Sequence, residues 1–316
     1  MRKSVVILLA LGLVLGCGPR KKAPAPLERL FPGADVPLMI SDPAERLLWK
    51  TQHFWDGFTA PDSLYFCDSL TVNGVWAEEL ERQAGYYITL LEQLPPEEGI
   101  RCVEHFFAQV SAFQEVHPDG PVFQKVTELI ARYLYDPNSP VRSEDLYQPY
   151  AAALAASPLV EPLEQQRYER EARLCGLNRP GTAAADFCFI DSAGRRRTLY
   201  GIQARLLLLI FGNPDCQACR DIQAELSGNQ MLSNAISSGE LKVVSVYIDE
   251  DIGKWKEHAG EYPSTWINGY DPDYVIRTDL LYHVRAIPSV YLLSEDKTVL
   301  LKDCTTERLF AALGLL

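Results

Sequence analysis

The stretch Arg205-Leu206-Leu207-Leu208-Leu209-Ile210-Phe211-Gly212-Asn213-Pro214-Asp215-Cys216-Gln217-Ala218-Cys219-Arg220-Asp221-Ile222 decides the architecture of this chain. After Arg205 its opening is continuously apolar, too short for a lone helix and typical of a central strand buried on both faces. A short loop follows, and then a C-x-x-C at the start of a helix. On the first helical turn two cysteines three apart lie on one side, close enough to form a small-loop disulfide. The helix N-terminus adds unpaired amide donors and a partial positive charge, which stabilise a thiolate on the first cysteine. Cys216 is therefore the expected nucleophile. Cys219, one turn in and more buried, is the expected resolving thiol, attacking the mixed disulfide and releasing the reduced substrate. A C-x-x-C can also be half a zinc site, but there is no second C-x-x-C and no paired histidine spacing to complete one, so redox chemistry without a metal is the reading.

Working outward, Asp186-Phe187-Cys188-Phe189-Ile190 and Arg197-Thr198-Leu199 flank the turn residues Asp191-Ser192-Ala193-Gly194 and predict a hairpin. From Pro180 onward the chain resembles the thioredoxin superfamily, in particular its extracytoplasmic TlpA/ResA-like branch with an added N-terminal hairpin. The resemblance is carried by Pro180-Gly181, Ala185-Asp186-Phe187, the hairpin turn, Phe211 five before Cys216, Lys242 to Asp249 as the next parallel strand, and Val284-Arg285-Ala286-Ile287-Pro288-Ser289-Val290-Tyr291-Leu292-Leu293. The last of these is similar to the family's Gly-Ile-Pro-Thr segment. It implies a cis Pro288 lying against the C-x-x-C and an Ile287 whose backbone pairs with the substrate strand. It also implies an exchange cycle with no organic cofactor, only the Cys216–Cys219 disulfide, recharged by a membrane redox relay because the periplasm offers no glutathione pool.

The departures from the family are local. Asp215 replaces the common aromatic before the first cysteine, and Ile210 stands where thioredoxin has its buried acid, which leaves the proton acceptor for Cys219 unassigned. For Asp215 two readings are open. A carboxylate beside Cys216 disfavours its thiolate and pushes the couple toward a reductant, or the side chain caps the helix and points away.

Upstream of residue 178 the pattern is helical. Trp76, Leu80, Ala84, Tyr87, Leu91 and Leu94 form one apolar stripe, with others at Val103 to Phe113 and Val122 to Tyr133. Further helices are expected over Asp42 to Phe58, Ser143 to Ala156 and Glu161 to Leu174, packed as an antiparallel bundle. Trp49, Phe54, Trp55, Phe58, Tyr86 and Tyr87 read as its core, and His53, His105 and His117 are too isolated to ligate a metal. This half resembles an uncharacterised module fused to thioredoxin-like domains in some Gram-negative lipoproteins. The expected fold is thus α+β overall, an all-α helical domain (27–177) followed by an α/β thioredoxin-like domain (178–316).

The N-terminus sets the compartment. Met1-Arg2-Lys3 is a basic n-region and Val5 to Leu15 an apolar stretch of signal-peptide length. Val14-Leu15-Gly16-Cys17 resembles the bacterial lipobox, which implies cleavage after residue 16 and a covalent lipid on Cys17. Residues 17–26 then form a Pro-rich basic tether. Gly18 resembles neither the acidic inner-membrane retention signal nor acidic surface-export signals, which favours the periplasmic face of the outer membrane. The chain of 316 residues carries a net charge of -12, and 27–177 holds 11 Lys and Arg against 24 Asp and Glu. Nucleic acid is a poor partner for such a surface. The expected function is a lipid-anchored periplasmic thiol-disulfide oxidoreductase, most simply a reductase, acting on disulfide-containing envelope proteins. The alternative is a non-catalytic adaptor lipoprotein that binds a partner through its helical domain. Of eight cysteines, Cys67, Cys102, Cys175, Cys188 and Cys304 are left over, mostly as buried free thiols, with Cys67–Cys102 and Cys175–Cys188 as open pairings.

Overall fold

A computed structural model of the chain describes residues 28–60, 65 and 67–314. The expected signal segment, Cys17 and the tether lie outside the described residues. Helix α1 (Pro43–Gln52) is followed by a two-stranded hairpin, β1 (Thr71–Val72) and β2 (Val75–Trp76), and then by α2 (Ala77–Glu92), α3 (Pro96–Val116), α4 (Val122–Tyr135), α5 (Glu144–Ala156) and α6 (Pro162–Cys175). The small hairpin corrects the all-α expectation. Asn73 and Gly74 both have positive φ (49° and 79°), the two-residue turn that an Asn-Gly pair favours, and it reverses the chain just before α2.

The helical core gathers the stripes read from the sequence. Trp55 is 1% exposed and sits against Phe58, Tyr87 and Phe106 at centroid distances of 5.7, 5.7 and 5.1 Å. Fully burying an aromatic or aliphatic side chain of this kind contributes about 1.5–3 kcal/mol. Two expected core residues are instead on the surface. Trp76 is the N-cap of α2, and Tyr86 points outward, its hydroxyl accepting from Lys50 Nζ at 2.7 Å.

The second half comprises β3 (Cys188–Asp191), β4 (Arg196–Thr198), β5 (Leu206–Gly212), α7 (Gln217–Gly228), α8 (Gln230–Ser237), β6 (Leu241–Tyr247), α9 (Ile252–His258), β7 (Ile267–Tyr270), β8 (Ser289–Ser294), β9 (Val299–Leu301) and α10 (Thr306–Leu313). The strands form one sheet in the order β4-β3-β7-β6-β5-β8-β9. Strand β5 runs parallel to β6 and antiparallel to β8. Its side chains alternate between two cores: Leu207, Leu209 and Phe211 pack with Phe187, Phe189, Tyr282 and Tyr291, whereas Leu208 and Ile210 pack with Leu226, Leu232, Val243 and Leu309. That two-sided burial is why the run is uninterruptedly apolar. Gly269 lets β7 approach β3, since a Cβ there would stand 2.6 Å from Ile190 O.

The two halves meet along a seam. Lys302, just after β9, donates to the carbonyls of Cys175 and Leu177 at 2.9 and 2.6 Å, and Arg142 pairs with Asp303 at 3.1 Å. No helix among the described residues is long and apolar enough to cross a membrane.

Candidate active site

Strand β5 ends at Gly212, whose missing side chain leaves room for the second cysteine: a Cβ there would lie 3.3 Å from Cys219 Sγ. The loop after it is tied by Asn213, whose Oδ1 accepts from the Asp215 amide at 2.8 Å and whose Nδ2 donates to Asp249 at 2.5 Å. Cys216 is then the N-cap of α7, and its Sγ accepts the Cys219 backbone N–H at 3.3 Å. The thiol therefore occupies a capping position, aimed at the unpaired amides of the first turn. On its other side the Cys216 thiol donates to the carbonyl of Ile287 at 3.6 Å, and the Ile287–Pro288 peptide is cis. The structure thus brings together Cys216, Cys219, Ile287 and Pro288, from two segments about 70 residues apart in sequence.

The two thiols differ in setting. Burial, and then the hydrogen bond with Cys216, push the Cys219 thiol up to about 12. Behind it is a cavity of about 20 Å³, lined in part by Asn213, Ser245 and Tyr262, with room for about one water molecule. Ile210, at the position of thioredoxin's acid, is buried in the apolar core on the helix side of the sheet. Among the polar side chains lining this cavity with Cys219 are the hydroxyls of Ser245 and Tyr262. Burial, then the nearby Cys219, push the Tyr262 hydroxyl up to about 12. Neither residue was marked by a local sequence motif, because β6 and the loop after α9 deliver them from different elements.

The structure corrects the capping reading of Asp215. Cys216 rather than Asp215 caps α7, and the Asp215 carboxylate faces α9, 2.9 Å from Lys254 Nζ and 3.8 Å from His258 Nε2. The hydrogen bond and charge of Lys254 hold its carboxyl below the ordinary range. The negative charge beside Cys216 is thereby answered by a neighbouring cation.

A second cluster was not legible in the sequence. Glu144, at the first position of α5, is buried against His283 Nδ1 (3.2 Å), Arg285 Nε (2.9 Å) and Lys302 Nζ (2.7 Å). Burial alone would push its carboxyl up, but the hydrogen bond from His283 and the charges of Lys302 and Arg285 overcome it and hold it down at about 2. The Cys175 thiol lies beside them, and Glu144, Cys175 and His283 together have the ligand types of a metal site. Two buried protein cations already neutralise that carboxylate, so the donor set does not fit an added cation. The seven described cysteines, Cys216 and Cys219 included, are all free thiols, so neither open pairing forms. Cys102, Cys175 and Cys304 are buried; burial pushes the Cys102 thiol up to about 11 and Cys304 up to about 12.

A thiol at a helix cap, a second thiol one turn in, and a proline loop across from them on a mixed seven-stranded sheet define a thioredoxin-like domain, here following a helical domain. Comparison with known proteins places the chain further. A family model described as a domain of unknown function, DUF5106, matches residues 18–177, and the chain belongs to that family. A thioredoxin-like protein from Bacteroides caccae, known from a crystal structure, is 33% identical over 91% of this chain and 99% of its own, with a TM-score of 0.78. The C-terminal domain of an uncharacterised protein from Bacteroides fragilis is 39% identical over 43% of this chain and 98% of its own, with a TM-score of 0.43. The thioredoxin domain of a thiol-disulfide oxidoreductase from Bacteroides vulgatus is 20% identical over 43% of this chain and 96% of its own, with a TM-score of 0.39. No curated protein matches the chain.

Proposed function

We propose that this protein is a lipid-anchored periplasmic thiol-disulfide oxidoreductase that reduces disulfides in other envelope proteins. The observation that carries the reading is the placement of Cys216 Sγ, 3.3 Å from the Cys219 amide and 3.6 Å from the Ile287 carbonyl. In the cycle, the Cys216 thiolate attacks a substrate disulfide docked along Ile287 and Pro288, and one substrate sulfur leaves as a thiol. Cys219 then attacks Cys216 Sγ in the mixed disulfide, loses its proton and expels the second substrate thiol, leaving the Cys216–Cys219 disulfide. The electron pair has passed to the substrate. A membrane dithiol relay returns it.

The reducing direction is supported by the setting of Cys219: burial holds it as a neutral thiol, so the second sulfur adds no thiolate stabilisation to the reduced form. Anchoring rests on the resemblance of Leu15-Gly16-Cys17 to a lipobox.

Insulin-disulfide reduction by the soluble protein, compared with Cys216→Ser, tests the activity. The expected result is turnover in the wild type and none in the variant; equal rates would sink the catalytic reading in favour of an adaptor. Cys219→Ser should accumulate a mixed disulfide with envelope proteins, identifiable by mass spectrometry.

A further inference from the structure

The segment 281–288 carries the cis proline to Cys216, yet it lies in neither helix nor strand. What fixes it is a series of side-chain ties of differing origin. Leu281 O accepts from Asn178 Nδ2 at 2.9 Å, and the Tyr282 hydroxyl donates to Ala185 O at 2.6 Å. The intervening pattern is period two, as an extended chain dictates. Tyr282 and Val284 turn into the apolar core of the redox domain, while His283 and Arg285 turn to the helical domain. There Arg285 Nε meets Glu144 at 2.9 Å, its Nη1 donates to the carbonyl of Tyr135, and its guanidinium lies 4.0 Å from the Tyr135 ring centroid. Tyr135 is itself stacked on Tyr147 of α5 at 4.4 Å. Only Ala286 separates Arg285 from Ile287, whose carbonyl takes the Cys216 thiol.

We infer that the DUF5106 domain is the scaffold for the substrate-docking loop, with Glu144 and Arg285 as positioning residues for disulfide exchange at Cys216. This inference rests on the exchange reading above. A guanidinium that is held in its plane by a carboxylate, a carbonyl and an aromatic face has little freedom, so the backbone two residues on is registered against the helical domain. Fixing that backbone lowers the ordering cost of adding a substrate strand to it. The contribution is to docking rather than to the sulfur chemistry. It gives the helical half a role that needs no ligand of its own.

The test uses the full soluble chain and two variants. Arg285→Met removes the tie while Glu144 keeps Lys302 and His283, and Glu144→Gln removes the shared anchor. In Arg285→Met, KM for insulin is expected to rise about tenfold with kcat little changed, as for a coupling of ordinary size. Hydrogen exchange should speed up at 283–288 but not in β5 or β8, and alkylation of Cys216 by iodoacetamide should keep its wild-type rate. Glu144→Gln should show the same pattern more strongly; if it does not fold, Arg285→Met alone decides. Unchanged KM and unchanged exchange at 283–288 in folded Arg285→Met would overturn the inference. Failure of the wild type to reduce insulin would instead count against the exchange reading, and the hydrogen-exchange comparison would still judge the scaffold.

Discussion

Two regions flank the exchange site, and each sets an acidic side chain near it in a different medium. On the outer rim Asp215 faces Lys254 and His258, all three open to solvent. In the seam Glu144 faces His283, Arg285 and Lys302, with its side chain 5% exposed and that of Lys302 1% exposed. The partners are chemically alike, and water makes the difference. An exposed pair is screened and contributes little, whereas a buried carboxylate among cations cannot lose its partners without stranding charge in a low-dielectric interior. The acid adjacent to Cys216 in sequence is therefore the one with less hold on the structure, and the acid 72 residues upstream is the one built into it.

The contrast breaks first on stability. Glu144→Ala leaves two cations buried without their counter-charge and is expected to cost about 3–5 kcal/mol, read as a large fall in urea midpoint. Asp215→Ala should leave that midpoint where it is. A comparable fall for both variants would erase the distinction between rim and seam.

Acid titration sharpens it. The Glu144 carboxyl is depressed in the folded chain, so its contribution is fully present above its ordinary value near 4.5 and is lost as pH falls toward about 2. The size is about 3 kcal/mol. Asp145 beside it is pushed up by burial and acts with the opposite sign in the same window, so the comparison is made between wild type and Glu144→Gln, which removes the Glu144 titration and keeps the Asp145 carboxyl. A pH dependence identical in the two proteins between 5 and 2.5, in roughly the range set by these values, would contradict the assignment.

Ionic strength gives the smallest effect. Raising salt from about 0.01 to 1 M shortens the screening length from roughly 30 to 3 Å, so Cys216 alkylation should lose whatever sensitivity to Asp215→Asn it shows at low salt. The hydrogen-exchange protection of 283–288 should hardly move.

How far each region could be read from sequence follows from the distances involved. The stretch from Leu206 to Cys219 carries its own explanation: a two-faced strand, a loop and a capping thiol are contiguous, and the structure has β5 within a residue of the apolar run and α7 starting directly after Cys216. Pro288 was legible only through its resemblance to a known segment. The seam was not, because Glu144 and Arg285 are 141 residues apart and an acid in the first turn of a helix already has a local reason to be there. Ser245 and Tyr262 escaped for the same cause, each reaching the space behind Cys219 from an element that looks ordinary alone. The Asn73-Gly74 turn is a different case, since its signal is local and strong, but the apolar residues around it also fit the stripe of α2.

The seam has one more consequence, for modularity. Arg285 and Lys302 belong to the redox half, and the carboxylate that neutralises them belongs to the helical half. A chimera joining this redox half to an unrelated leader would leave two cations at the joint without their counter-ion. Transplants of either half should succeed only when both sides of the seam travel together.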